Sequence, residues 1–332
     1  MKDVAALAKV SLKTVSRVIN NEPTVNPELT ARVRLAAEQL RYQPNFGASA
    51  LRRSDGRSST IGVLLEDLSN PFSATIYRAV EEVATLRSVS VLGGSLDESS
   101  QREHDLTTSM SRHRVDGVII APASHDHHYL RQEQEAGVAF VFVDRPPSLL
   151  AADQVLSDCR GASQRAVEHL ISFGHKRIGY LGDATTISTA VERNLGYADA
   201  LKAAGIPLDP SIVFQGLRTI DSVHEVVATM IQSDNPPTAL FTGQNLLTMG
   251  AVRELRELGL QHEIALVGFD DFLMADLLDP PVTVVAQDVV SMGREAAHLL
   301  FDRIDGDRSE VRCVIVPSRL VVRGSGEIPP RY

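Results

Sequence analysis

The sequence predicts an all-α helix-turn-helix headpiece followed by a larger α/β unit of two lobes, each built on a doubly wound parallel sheet. Three observations carry this prediction. The N-terminal residues show helical spacing of small apolar side chains and no strand-like run. From Thr60 onward, short apolar runs alternate with amphipathic helical stretches, and the alternation occurs as two successive series. Charge divides along the same boundary. Residues 1–60 hold ten Lys and Arg against five Asp and Glu, a balance of +5, while the rest of the chain carries −14 of the overall −9. A basic head on an acidic body directs only the head to a polyanion, because phosphates repel the body.

Taken in order, Val4, Leu7 and Ala8 predict a helix over Lys2–Ala8, and Lys9-Val10 a tight turn. Ser11 is placed to cap a second helix, Leu12–Asn20, with Val15, Val18 and Ile19 on one side and Lys13, Thr14, Ser16 and Arg17 mostly on the other. Pro27 opens a third helix whose apolar stripe is Val33, Ala36, Ala37 and Leu40. Tyr42-Gln43-Pro44-Asn45 breaks it. Phe46–Arg53 is helix-compatible but too short to be stable alone, and Ser54–Ser59 reads as linker. Strands are expected at Ile61–Leu65, Val89–Leu92, Gly117–Ala121 and Ala139–Val143, then at Arg177–Gly182, Ala239–Gly243 and Ala265–Phe269. Helices are expected at Ala74–Leu86, Arg102–Arg112, Ala162–Phe173, Arg193–Ala204 and Leu247–Leu258. In such sheets ligands gather at the carboxyl ends of the strands, here facing a cleft between the lobes.

Composition narrows the classes. A chain of 332 residues exceeds one ordinary core, and 43% hydrophobic with 23% charged residues is usual for a globular protein. No apolar run reaches the roughly 18–20 residues that cross a bilayer, and no signal-peptide core follows Lys2-Asp3, so a cytoplasmic location is expected. The two cysteines, Cys159 and Cys313, form neither a disulfide framework nor a zinc spacing. His125-Asp126-His127-His128 is contiguous, without a distant ligand, and is expected to be a solvated loop. No GxSxG, Walker loop, HExxH or triad spacing occurs, so no catalytic residues, metal or cofactor are expected.

Several motifs stand in order along the chain: Asp3-Val4-Ala5, Val10-Ser11, Thr14-Val15-Ser16-Arg17-Val18-Ile19-Asn20, Tyr42-x-Pro44-Asn45 and Ala48-x-x-Leu51-Arg52. They continue with Asn70-Pro71-Phe72, Arg114-Val115-Asp116-Gly117, Val143-Asp144-Arg145, Glu168-His169-Leu170, Gly174-His175-Lys176-Arg177-Ile178, Gly268-Phe269-Asp270 and Gln287. With these the chain resembles the lactose-repressor (LacI/GalR) family over essentially its whole length. The resemblance implies a DNA-binding headpiece at 1–45, a hinge helix and linker at 46–59, and a periplasmic-binding-protein-like sensor at 60–332. Its lobes are expected at about 60–159 with 289–318, and about 160–288 with 319–332.

The resemblance also assigns roles. It puts Leu12, Lys13, Thr14, Ser16, Arg17 and Asn20 on operator DNA, with Arg17 suited to a guanine edge and Leu12 to apolar contact such as a thymine methyl. It puts Asn45, Ala48, Leu51 and Arg52 on the same DNA, Leu51 as a minor-groove wedge. Two departures are visible. Lys9 stands where the turn usually has a small residue, a strained choice if the position is left-handed. Met1 directly precedes Lys2, so the natural start is expected a few residues upstream, or else the first helix frayed.

For the cleft the resemblance points to Asn70, Phe72, Asp144, Arg145, Arg193, Gln244, Asp270 and Gln287, with Arg193 opening its helix. Carboxylates and guanidinium groups around an aromatic face suit a hydroxyl-rich ligand. Gln244-Asn245 replaces the Asn-Asp pair of sugar-binding members, removing one carboxylate, and Ile187 argues against a purine base. A carbohydrate effector is favoured, with a nucleoside or a protein co-regulator as alternatives. The expected protein is a homodimeric repressor on pseudo-palindromic double-stranded DNA, with ligand as inducer or corepressor and no membrane partner. An exported sugar-binding protein and an enzyme on the same sheets are the rival classes, opposed by the basic headpiece and by the missing catalytic constellation. The tail Gly324–Tyr332 has no heptads for a coiled-coil tetramer.

Overall fold

A computed structural model describes residues 1–19, 24–42 and 57–331, in two units divided after Ser59. The first unit contains α1 (Lys2–Ala8), α2 (Leu12–Ile19) and α3 (Pro27–Gln39). Its core is Val4, Ala5, Ala8, Val15, Val18, Val33 and Ala36, all small, which lets three short helices approach closely. Val33 and Ala36 are buried as the spacing predicts, whereas Leu40 is exposed. Each helix start has a local cause where the sequence supplies one. The Ser11 hydroxyl accepts from the Thr14 N–H (3.1 Å), and the Asn26 side chain accepts from the Glu28 N–H ahead of Pro27 (2.8 Å). α1 has no side-chain cap; its first turn closes by the Ala5 N–H donating to the Met1 carbonyl (3.0 Å). Lys9 ends it in the left-handed region (φ 51°, ψ 48°), and Arg32 donates to the Ala8 carbonyl (2.6 Å), satisfying a helix-end acceptor.

The second unit begins with β1 (Thr60–Leu65), α4 (Pro71–Leu86), β2 (Ser90–Ser95), α5 (Ser100–Arg112), β3 (Gly117–Ile120), α6 (Arg131–Glu135), β4 (Ala139–Val143) and β5 (Asp153–Ser157). The chain then enters a second lobe: α7 (Cys159–Ser172), β6 (Ile178–Leu181), α8 (Ser188–Ala203), β7 (Val213–Phe214), α9 (Ile220–Ile231), β8 (Ala239–Thr242), α10 (Asn245–Glu257), β9 (Ala265–Phe269) and β10 (Thr283–Gln287). It returns for α11 (Val289–Ile304) and β11 (Cys313–Val316), and crosses once more to β12 (Ser318–Val321). The first lobe's sheet runs β11-β5-β4-β3-β1-β2, wholly parallel. The second runs β12-β10-β9-β8-β6-β7, parallel except for the β10–β12 edge. Each sheet is buried on both faces, which explains why its central strands read as unbroken apolar runs.

Three segments therefore join the lobes: Ser157-Asp158, Gln287-Asp288 and Pro317. Asp158 caps α7 through the Gly161 N–H and Asp288 caps α11 through the Ser291 N–H (both 3.0 Å). The Ser157 and Ser318 hydroxyls meet at 3.0 Å, tying two of the crossings.

Several expected boundaries move. α4 starts at Pro71 because Asn70 caps it, its side chain accepting from the Phe72 N–H (3.0 Å). α8 starts at Ser188, so Arg193 sits in its second turn and does not open it. β2 runs to Ser95 through Gly93 and Gly94, which interrupt the apolar pattern; a Cβ on Gly93 would lie 2.8 Å from the Tyr77 ring. The His125–His128 segment is only partly solvated. His127 is 1% exposed, its Nδ1 accepting from the Ser148 N–H (2.9 Å) and its Nε2 lying 3.6 Å from Glu103. Glu103 in turn accepts from the Ala123 and Ser124 N–H groups (2.6 and 2.8 Å) and from the Tyr129 hydroxyl (2.7 Å), fixing this loop from beneath.

Candidate functional site

Two regions offer functional side chains, and they differ in kind. On α2, Leu12 and Lys13 are exposed, and Thr14, Ser16 and Arg17 are partly buried, on the side away from Val15 and Val18. The Thr14 hydroxyl is paired with that of Ser11 (2.9 Å), so its first role is to close the helix start. An amphipathic helix of this size, exposed on one face with cations and hydroxyls, fits a major groove. Asn20, Asn45, Ala48, Leu51 and Arg52 lie outside the described residues.

The second region is the cleft between the lobes, reached from strand ends on both sides. Asp144 follows β4 and Asp270 follows β9 at corresponding places in the two sheets. Both have left-handed backbones (φ 68° and 69°), a region that Asp tolerates. The Asp144 N–H donates to the Val155 carbonyl (3.0 Å) and the Asp270 N–H to the Val285 carbonyl (2.9 Å), so the same turn is built twice. Arg193 reaches the cleft from α8, donating to the Gly243 carbonyl (2.7 Å), standing 3.7 Å from Asp270, and stacking 4.0 Å above the Phe269 ring. Gln287 donates to Asp270 (2.5 Å), and Phe72 stands in the opposite wall.

Arg145 is already committed: it holds Glu98 in a two-pronged pair (2.5 and 2.7 Å) and donates to the Pro122 carbonyl (3.0 Å). Across the cleft Asn245 donates to Asn70 (3.0 Å), an amide pair joining the lobes, with both residues buried. In this arrangement the inner cavity encloses about 40 Å³, room for about three waters. An outer chamber of about 450 Å³ adjoins it past Arg145 and Ile187. Admission of a sugar-sized ligand to the inner cavity requires the lobes to part.

Burial sets the electrostatics. It pushes Asp144 above the ordinary carboxylate range, opposed by Arg145 and Arg193. It also raises Asp183, and it raises Glu66 to about 7, with Glu98 adding to the effect on Glu66.

Residues 1–45 match the bacterial regulatory proteins of the lacI family, and residues 167–326 a periplasmic binding protein-like domain. The regulator CelR of Thermobifida fusca is 33% identical over 97% of each chain. This chain belongs to the LacI family. Among solved structures, the lac repressor dimer bound to operator and the anti-inducer ONPF superposes with a TM-score of 0.86 at 25% identity, covering 98% of both chains. A CelR–cellobiose complex does so with 0.73 at 32% identity, again over 98% of both. The relatives are transcriptional regulators, not enzymes, and this LacI-family chain is a DNA-binding transcriptional regulator with the lac repressor fold. Among the described residues no helix is long and apolar enough to cross a membrane.

Of the cleft residues expected in this LacI-family sequence, Asn70, Phe72, Asp144, Arg145, Arg193, Gln244 and Asp270 line one cavity, while Gln287 braces Asp270. The carboxylate expected to be missing beside Gln244 is replaced from elsewhere: Asp183, after β6, accepts from the Gln244 amide (3.3 Å) and from the Ala184 N–H (2.6 Å). Glu66, immediately after β1, is a second carboxylate that sequence reasoning passed over. Both stand at strand ends, the signal that located the others. Outside the cleft, His224, Glu254 and Glu257 bring ligand-type atoms within 4.8 Å of one another. There Arg253 holds Glu257 at 3.0 Å, giving a cluster of ion pairs.

Proposed function

We propose that this protein is a cytoplasmic, homodimeric repressor that reads a pseudo-palindromic operator with α2 and is controlled by a hydroxyl-rich effector, a carbohydrate, in the cleft. The observation that carries the effector reading is the doubled Asp turn with Arg193 between its carboxylates: acceptors from both lobes and a fixed donor converge on one cavity. Such a site bonds vicinal hydroxyls from two sides and is completed only when the lobes close. The similarity to a CelR–cellobiose complex supports a sugar.

Arg17 and Lys13 read base edges, with Leu12 making apolar contact. Two apolar surfaces support self-association: the Pro71, Ala74 and Val290 face of α4 and α11, and the loop bearing Leu273 and Leu277, which are 84% and 73% exposed. Ligand closure changes how two copies meet and so shifts operator affinity.

The test is operator binding by fluorescence anisotropy across a salt series, with and without a panel of neutral and amino sugars and nucleosides. Tight binding whose logarithm falls steeply with salt, and which one compound shifts about tenfold, is the expected result. Binding that no compound shifts would remove the effector reading and leave the regulator.

A further inference from the structure

Accepting the cleft as a ligand site, its charge says what kind of ligand it takes. Five carboxylates gather there, Glu66, Glu98, Asp144, Asp183 and Asp270, against Arg145, Arg193 and, from the outer chamber, Arg218. The cations are largely spoken for. Arg145 is held by Glu98, Arg193 stands between Asp270 and Asp144, and Arg218 acts on Asp183 only as a nearby charge. With every group in its charged form, two negative charges remain in excess. The Glu66 carboxylate accepts no hydrogen bond from any described residue. Asp144, whose side chain is 10% exposed, keeps a buried oxygen without a hydrogen bond.

The excess sits where the lobes meet. Glu66 follows the first strand of one lobe and Asp183 the first strand of the other, and both line the same cavity. Closure thus presses like charges together in a space too small to hydrate them well, an arrangement that needs a counter-charge. Neutral hydroxyls donate to carboxylates but leave the net charge in place.

We propose that the effector is a polyhydroxylated compound carrying a protonated nitrogen, an amino sugar or similar amino-polyol, whose ammonium group sits between Glu66 and Asp183. Its hydroxyls meet Asp144, Asp270 and Arg193. The ammonium then supplies the missing cation, and closure becomes favourable only around a ligand that has one. Burial, with like charges adding, displaces Glu66, Asp144 and Asp183 upward, and a cation beside them would oppose that displacement.

The test is isothermal calorimetry on the full chain at about pH 7, where amines of this kind are largely protonated and Glu66 is not yet neutralised. It compares matched sets: glucosamine with glucose and N-acetylglucosamine, galactosamine and mannosamine with their own neutral counterparts. The expected result is that at least one amine binds about tenfold or more tighter than both neutral counterparts, a difference of about 1.4 kcal/mol, and that Glu66→Gln and Asp183→Asn each erase the difference. Two variants are used because Asp183 also supports Gln244, whereas Glu66 supports nothing. Neutral sugars binding as well as their amines would overturn the ammonium assignment and leave the carbohydrate reading standing. Neutral sugars binding tightly only with added Ca²⁺ would also overturn it, giving the charges to a metal. No binding by any member at millimolar concentration would overturn both.

Discussion

Arg17 and Arg193 are both arginines offered to a ligand, and their surroundings differ in nearly every respect. Arg17 lies on a partly solvated helix face, in a unit whose core is seven Val and Ala side chains. Arg193 is 6% exposed, fixed by a carbonyl, an aromatic ring and a carboxylate, between two large sheet cores. A polyanion brings high charge density to a surface, so the headpiece needs cations in water more than rigidity, and its binding is salt-sensitive. A small hydroxylated molecule brings little charge and few contacts, so the cleft must hold its polar groups aligned beforehand. The chain thus separates an electrostatic reader, with cations on a partly solvated helix face, from a stereochemical one whose polar groups are buried and paired.

The sharpest way to break this contrast is to remove the cation from the rigid side. Arg193→Met should destabilise the second unit by about 3 kcal/mol, because Asp270 is left buried without its cation and Asp144 loses one of its two, and should abolish effector binding. Urea unfolding and calorimetry check both. Unchanged stability would place Arg193 and its carboxylates in solvent. On the headpiece, Arg17→Ala should weaken operator binding by about 2 kcal/mol, roughly thirtyfold, well beyond any change in stability. A matching loss of stability would make Arg17 structural.

Lys9→Gly should stabilise the headpiece by about 1 kcal/mol, because glycine adopts the left-handed geometry without strain. Differential scanning calorimetry of the full chain would show it as a rise in the headpiece transition. The smallest effect is in the pH dependence. Glu66 titrates near 7 in the folded chain and near 4.5 when free, so the native state binds more protons in that window. Stability contributed by this group is therefore lost as pH rises from about 4.5 to 7. Burial raises the Glu66 pKa most, Glu98, Asp183 and Asp144 add to the shift, and Arg145 opposes it. Subtracting the Glu66→Gln curve from the native one isolates it, and a flat difference would place Glu66 in bulk water.

Most of the architecture was legible because both sheets are buried on two faces, so strands such as Ala139–Val143 and Ala265–Phe269 stand out as apolar runs. What escaped was nonlocal. β5, β7, β10, β11 and β12 were not among the strands expected from apolar runs, and β5 and β12 mix polar with apolar residues. The lobe that each joins was expected only from the family resemblance, because three crossings decide it and no local window contains them. Cleft residues carried by a motif, such as Asp144 and Asp270, were found. Glu66 and Asp183 were not, because a carboxylate after a strand is common, and only the folded chain shows that two of them share a cavity. His127 escaped for a related reason: its burial depends on Glu103 and Ser148, each about twenty residues away.

Control of the headpiece by the cleft is tested most directly by reciprocal linkage. Effector affinity would be titrated with the full chain free and saturated with operator, and operator affinity with and without effector. The same factor is expected in both directions, about tenfold or more, and its disappearance in Arg193→Met. Equal affinities in all four titrations, or a coupling that survives Arg193→Met, would contradict it.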